Sequence, residues 1–191
     1  MPGPRDPRGA LDRDTLHQLF DELADELARA QVRAHVYIIG GAAMTMAYQR
    51  DRATHDVDAR IDDGHEAVLA AVRTIARRHG LPTTWLNEQA TSYLPAAPDR
   101  RAPVVFDTPH LVITGASAEH LLAMKLEAAR RTDQPDIASL LRTLGIRDAD
   151  AAMAIHADLF PDSRQAGRAR LILNTVLPAP GRHGPARAQE C

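Results

Sequence analysis

Val36-Tyr37-Ile38-Ile39-Gly40-Gly41-Ala42-Ala43, followed by Thr54-His55-Asp56-Val57-Asp58, is the stretch that decides how this chain reads. Residues 36–39 are apolar and rich in strand formers, and two glycines end the run, which reads as a buried strand. Ala42 to Gln49 then carries helix formers. Thr54 to Ile61 reads as a second strand. On a strand, residues i and i+2 share a face, so Asp56 and Asp58 project together while Val57 points into the core. Two carboxylates about 4 Å apart repel by roughly 4 kcal/mol at an effective dielectric near 20. A divalent cation relieves that repulsion, and Mg²⁺ in particular takes one or two carboxylates together with substrate phosphate oxygens.

Gly40-Gly41 falls at the strand-to-helix turn. Glycine lets backbone approach a phosphate closely, and a helix N-terminus offers unpaired N–H groups and partial positive charge. Taken singly, a double glycine is an ordinary tight turn and an Asp-x-Asp is an ordinary solvated edge. Together they place a phosphate-binding turn one helix ahead of a metal-binding pair, a layout suited to nucleoside triphosphates.

Outward from this stretch, Leu16, Leu19, Phe20, Leu23 and Leu27 recur at helical spacing over 14–30, and Val68, Leu69, Val72, Ile75 and Ala76 over 66–79, closed by Gly80. A third strand is expected at 83–86, and a loop at 88–101. Val104-Val105-Phe106 and Leu111-Val112-Ile113 flank Asp107-Thr108-Pro109-His110 as a hairpin. Ser117 is an N-cap for a helix through Arg131, and Asp133 for one reaching Leu144 with Pro135 in its first turn. Two further helices are expected over about 148–159 and 163–177. The fold class is therefore α+β: a small mixed-sheet core over 11–115, a helical subdomain over 116–177, and loose tails at 1–10 and 178–191.

Composition narrows the function. Hydrophobic residues make up 45% of 191, enough for a core, and the net charge of −2 excludes coating nucleic acid by bulk charge. Aromatics at 4% disfavour binding by base stacking. The single cysteine, Cys191, excludes an internal disulfide and a cysteine-rich metal site. Met1 to Gly9 is rich in Pro, Gly and Arg with no apolar stretch, so no secretory signal is expected, and no apolar run reaches the length of a membrane span. A cytoplasmic protein is expected. Of the 23 basic residues only Lys125 is lysine, so a compact ammonium is wanted there and nowhere else.

The segment Ile38–Ala43 with Arg52-Ala53-Thr54-His55-Asp56-Val57-Asp58 resembles the signature of the nucleotidyltransferase superfamily, with its polymerase-β-like fold. Leu121-Leu122-Ala123-Met124-Lys125-Leu126-Glu127-Ala128-Ala129-Arg130, then Asp133 and Asp136-Ile137, is similar to the AbiEii and MenT branch of nucleotidyltransferase-like toxins. The resemblance covers about residues 36–177. It implies that Asp56 and Asp58 hold one or two Mg²⁺ ions, and that Gly40 and Gly41 touch the β- and γ-phosphates of an NTP. Thr54 would contact phosphate, Lys125 would pair with the triphosphate, and Asp136 would orient that lysine or help activate the acceptor; Arg52, read by itself, either binds phosphate or borders the loop. The resemblance further implies RNA as acceptor, the tRNA 3′ end in particular, and an antitoxin protein as partner.

The chain departs from the superfamily pattern twice. Gly41 stands where many members carry serine, a lost hydroxyl that Thr54 is placed to replace. Many members also have a third metal-binding carboxylate on a later strand, for which Asp107 is the first candidate and Glu88 the second. Arg164, Arg168 and Arg170 form the candidate RNA-facing patch, with Arg77-Arg78, Arg100-Arg101 and Arg130-Arg131 as extensions. Two other readings stay open: transfer to a small molecule such as an aminoglycoside, and a nucleotide-binding or interaction module without catalysis.

Overall fold

Alternation along the strands decides which side chains each face of the sheet presents. The computed structural model describes residues 10–48 and 53–177. They fall into two compact units, one ending at Leu121 and the other beginning at Leu122. In the first unit, α1 (Arg13–Arg29) precedes β1 (Ala34–Ile38), α2 (Gly40–Ala47), β2 (Val57–Asp63) and α3 (His65–His79). Then come β3 (Leu86–Asn87), a 3-10 turn (Gln89–Tyr93), and the expected hairpin of β4 (Val104–Asp107) and β5 (Leu111–Gly115). The five strands form one mixed sheet in the order β3-β2-β1-β5-β4. β1 runs antiparallel to β2 and parallel to β5, β3 is parallel to β2, and β4 is antiparallel to β5.

One face of that sheet is the core. Val36, Ile38, Val57 and Ala59 are fully buried there, beside the apolar stripes of α1 and α3. Arg78 ties the two helices together, reaching Glu22 and Glu26 at 2.6 Å each, and His79 adds a contact to Glu22 at 2.6 Å. Trp85, buried as expected of the only tryptophan, donates its indole N–H to the Val72 carbonyl at 3.1 Å. The opposite face carries His35 and Tyr37 from β1 and Asp58, Arg60 and Asp62 from β2, with Tyr37 directly across from Arg60.

Several boundaries differ from the sequence reading for local reasons. β2 starts at Val57, not Thr54. Thr54 is held instead by an isolated bridge to Leu11, and its hydroxyl donates to the Asp56 carbonyl at 3.0 Å. That local bond closes a turn over residues 55 and 56 that competes with strand pairing. β3 is shorter and later than expected, because the Trp85 amide turns back onto the Pro82 carbonyl at 3.0 Å. Gly80 closes α3 in the left-handed region, as expected.

α4 (Ala118–Ala128) contains the division between the units. Ser117 caps it, its Oγ accepting the His120 amide at 3.3 Å. The helix ends before Arg131 because Ala129 turns to a φ of 47°. The second unit is helical, with α5 (Gln134–Thr143), α6 (Ala149–Leu159) and α7 (Ala166–Val176). Glu127 joins its parts: one oxygen accepts from His156 Nε2 at 2.8 Å and from Ser163 Oγ at 2.5 Å. Ser163 thus lies ahead of α7, which starts three residues later than the sequence reading placed it. Among the described residues no helix is long and apolar enough to cross a membrane.

Candidate active site

The Asp58 carboxylate lies against the backbone of Gly40. A Cβ built on Gly40 would come within 3.4 Å of Asp58 Oδ2, and Gly40 holds a φ of +60° that side-chain-bearing residues rarely adopt. Sheet pairing creates this approach. The Ile39 amide donates to the Asp58 carbonyl at 2.9 Å, one residue beyond the last Ile38–Ala59 pair. α2 begins at Gly40 itself, and its N-cap, Ile39, supplies no side-chain bond. The first-turn N–H groups of a helix have no partner within the helix. The expected strand, glycine turn and helix are therefore present, with the second aspartate beside the turn.

Asp56 lies on the bend before β2 rather than in the strand alternation. It is exposed, and Asn87 Nδ2 approaches its Oδ2 at 3.4 Å. Asn87 is also the residue paired with Asp58 across β2 and β3. Sequence reasoning passed over this asparagine. Its side chain is nearly buried, donating to the Thr84 carbonyl at 3.2 Å and accepting from the Gln89 amide at 3.0 Å. The only signal for it was a polar residue ending the apolar Trp85-Leu86 step.

Neither candidate for a third carboxylate joins the pair. Glu88 turns away: its Oε1 accepts the Ile61 amide at 3.0 Å and its Oε2 meets His65 Nε2 at 2.8 Å. Asp107 ends the edge strand β4, in the row that runs through Val112 and His35 to Asp63. Three strand spacings and five residues separate it from Asp58, on the order of 20 Å. Among the described residues, no group of three His, Cys, Asp or Glu side chains is placed to hold a metal. Two carboxylates with substrate phosphates suffice for one Mg²⁺. Arg52 lies outside the described residues.

In the second unit Lys125 is 9% exposed, and its ammonium lies 2.7 Å from Asp133 Oδ1 and 2.8 Å from Asp136 Oδ2. The expected contact with Asp136 is present. Asp133 behaves differently from the reading of it as a cap, since its side chain makes no cap bond to α5 and is turned to the lysine. Arg164, Arg168 and Arg170 are exposed, with Arg170 engaged by Asp150 at 2.5 Å. Arg78 is committed to α1, and Arg101 to Glu119.

A family model described as a nucleotidyltransferase of unknown function (DUF6036) matches residues 14–150. The chain belongs to that nucleotidyltransferase family. The matched span takes in Gly40, Gly41, Asp56, Asp58, Lys125 and Asp136. No curated protein and no solved structure matches the chain.

The same sheet face holds a pocket of about 400 Å³, lined by His35, Tyr37, Arg60, Asp62, Thr114 and the 94–102 loop. Asp99 fastens that loop: its Oδ2 accepts the Tyr37 hydroxyl at 2.9 Å and the Ser117 amide at 2.7 Å. Burial would raise the Asp99 pKa, but the Ser117 and Tyr37 hydrogen bonds outweigh it and hold the carboxyl below its ordinary value. Burial, then the Asp99 charge, pushes the Tyr37 hydroxyl well up, so it stays a donor. Tyr48, half-buried, is raised to about 12 by that burial.

Proposed function

We propose that this member of the nucleotidyltransferase family transfers a nucleotide from an NTP to an RNA acceptor, using Mg²⁺ held by Asp56 and Asp58. The observation that carries the reading is the approach of Asp58 to Gly40, which puts a carboxylate beside the backbone suited to the triphosphate. In this reading the N–H groups at the start of α2 hold the β- and γ-phosphates, with Gly40 and Gly41 leaving room for them. Asp56 and Asp58 place the α-phosphate, and Asn87 fixes Asp56. Mg²⁺ bound there would neutralise charge on the transferring phosphate. The acceptor oxygen bonds to the α-phosphorus as the bond to the bridging oxygen breaks. Pyrophosphate leaves with the electron pair, and the hydroxyl proton passes to solvent water. Thr54 orders the bend that carries Asp56, a task distinct from touching phosphate.

The similarity of Lys125, Asp133 and Asp136 to the AbiEii and MenT branch supports a toxin of a toxin–antitoxin pair that modifies the tRNA 3′ end and blocks translation. Lys125 would then pair with the triphosphate, held ready by Asp136. Incubating the protein with Mg²⁺, each labelled NTP and total RNA tests the reading. A labelled RNA band that vanishes in Asp56→Ala and Asp58→Ala, both still folded, is the expected result. Full activity in either variant would overturn the site assignment. Growth arrest on expression, relieved by a protein encoded beside it, tests the toxin reading.

A further inference from the structure

We infer that Asn87 is a positioning residue for nucleotidyl transfer: from its seat on β3 it fixes the direction in which Asp56 presents its carboxylate to a divalent cation. This rests on the nucleotidyl-transfer reading and names what aims one of its two carboxylates. Asp56 is exposed on the bend before β2, where no strand ladder sets its side chain. An exposed side chain left to itself changes rotamer on a nanosecond scale, whereas Mg²⁺ demands near-ideal octahedral geometry. The backbone around Asp56 is already held. Thr54 Oγ1 donates to the Asp56 carbonyl at 3.0 Å, and the Val57 amide donates to the Trp85 carbonyl at 2.7 Å. Among the described residues, Asn87 alone bonds the carboxylate itself.

Asn87 can aim another side chain because its own is fixed. It is 8% exposed, and the β2–β3 ladder pairs it with Asp58, two residues beyond Asp56. Its Oδ1 accepts the Gln89 amide at 3.0 Å, which settles the way round that the side-chain amide sits. Nδ2 then has two hydrogens to place. One goes to the Thr84 carbonyl at 3.2 Å and the other to Asp56 Oδ2 at 3.4 Å. The bonds to Thr84 and Gln89 are local and hold the turn around β3. The bond to Asp56 spans 31 residues of chain and holds only the carboxylate on the bend. It is longer than the usual N–H···O distance of about 2.7–3.2 Å, so it adds little to folding. Hydrogen bonds of catalytic groups often tighten only once the site is filled. The amide also suits the charge of the place. It donates without adding negative charge beside Asp56, and it brings no positive charge to compete with the cation.

The test joins two measurements on the whole protein. The first is the proton NMR signal of the Asn87 side-chain amide without metal, in wild type and in Asp56→Ala. A hydrogen bond to a carboxylate draws its proton downfield, so one Nδ2 proton should move upfield in Asp56→Ala while the one held by Thr84 stays. An asparagine with only a structural role predicts that neither moves. The second is Mn²⁺ binding, followed by the electron paramagnetic resonance of free Mn²⁺. Loss of the partner behind a metal ligand typically costs about 10–100-fold in metal affinity, and folded Asn87→Ala should lose that much. Unmoved Nδ2 protons would overturn the inference even if Asn87→Ala does not fold. Mn²⁺ affinity within twofold of wild type in folded Asn87→Ala would overturn it too, and would leave the transfer reading standing. A wild type that binds no Mn²⁺, alone or with a non-hydrolysable NTP, would remove the metal-dependent transfer reading and the positioning role with it.

Discussion

Gly40 and Asp58 meet at the end of β1, where the position of a missing Cβ lies 3.4 Å from a carboxylate oxygen. Gly40→Ala would place a methyl group in that gap and hold an alanine at a φ of +60°. The left-handed region costs a side-chain-bearing residue about 1–2 kcal/mol. A lowered melting temperature is expected, with nucleotide transfer falling at least tenfold because relief of the strain at φ +60° would move the turn and its N–H groups. Thermal melts and initial rates check this. An alanine variant with wild-type stability and rate would show that the close approach serves nothing.

Asn87→Asp sets a carboxylate beside Asp56, which Asn87 Nδ2 approaches at 3.4 Å, and across β2 and β3 from Asp58. Repulsion between charges about 4 Å apart is roughly 4 kcal/mol at an effective dielectric near 20. The donated contacts to Thr84 and Asp56 are lost as well. With chelator the variant should melt lower than wild type, and Mg²⁺ should restore more stability to it than to wild type. A melting temperature that ignores Mg²⁺ in both proteins would argue against a cation site.

The layout of the first unit was legible because burial writes a period into sequence. The alternation around Val57 and the helical stripe from Leu16 to Leu27 each specify a face. The step from strand to glycine to helix, and the place of Asp58 on β2, follow from where that alternation runs, whereas Asp56 lies on the bend before β2 and outside it. Asn87 was not, since its importance comes from lying across β2 from Asp58, and pairing register is not visible in a single strand. Thr54 misled because a threonine suits a strand, while its hydroxyl bond to the Asp56 carbonyl makes a bend. The pocket was hidden too, as it depends on Asp99 in a loop reaching Tyr37 on β1.

His65 gives a pH dependence with a definite sign. Its hydrogen bond to Glu88, then the Glu88 charge, raises its pKa above the ordinary 6.5. A raised folded-state value means the protonated form is favoured by folding. The contribution is fully present below 6.5, once Glu88 is ionised, and is lost as pH rises through the folded value. His65→Gln should therefore lower the melting temperature near pH 5.5 and leave it close to wild type near pH 9. A penalty that grows with pH would contradict the ion pair.

Lys125→Arg separates the ion pair that Lys125 makes from the triphosphate contact proposed for it. Its ammonium is nearly buried between Asp133 and Asp136 at 2.7 and 2.8 Å. Removing one partner of a buried ion pair typically costs about 3–5 kcal/mol, because the charge left behind has no partner. Lys125→Ala should therefore lose stability as well as activity, and its kinetics would not be informative. Arginine keeps the charge, so the pairing survives, at about 1–3 kcal/mol for fitting a broader group into packed surroundings. A guanidinium also presents a planar fork where lysine presents a point charge. If the ammonium contacts the triphosphate, that change displaces the NTP, and misplacement of about 1 Å can cost on the order of a hundredfold in rate. The expected result is a folded Lys125→Arg protein with a raised KM for NTP and a rate down by about that factor. A purely structural lysine predicts a different pattern, in which transfer falls only in step with the folded fraction. Wild-type rate and NTP affinity in folded Lys125→Arg would assign this lysine to the ion pair alone.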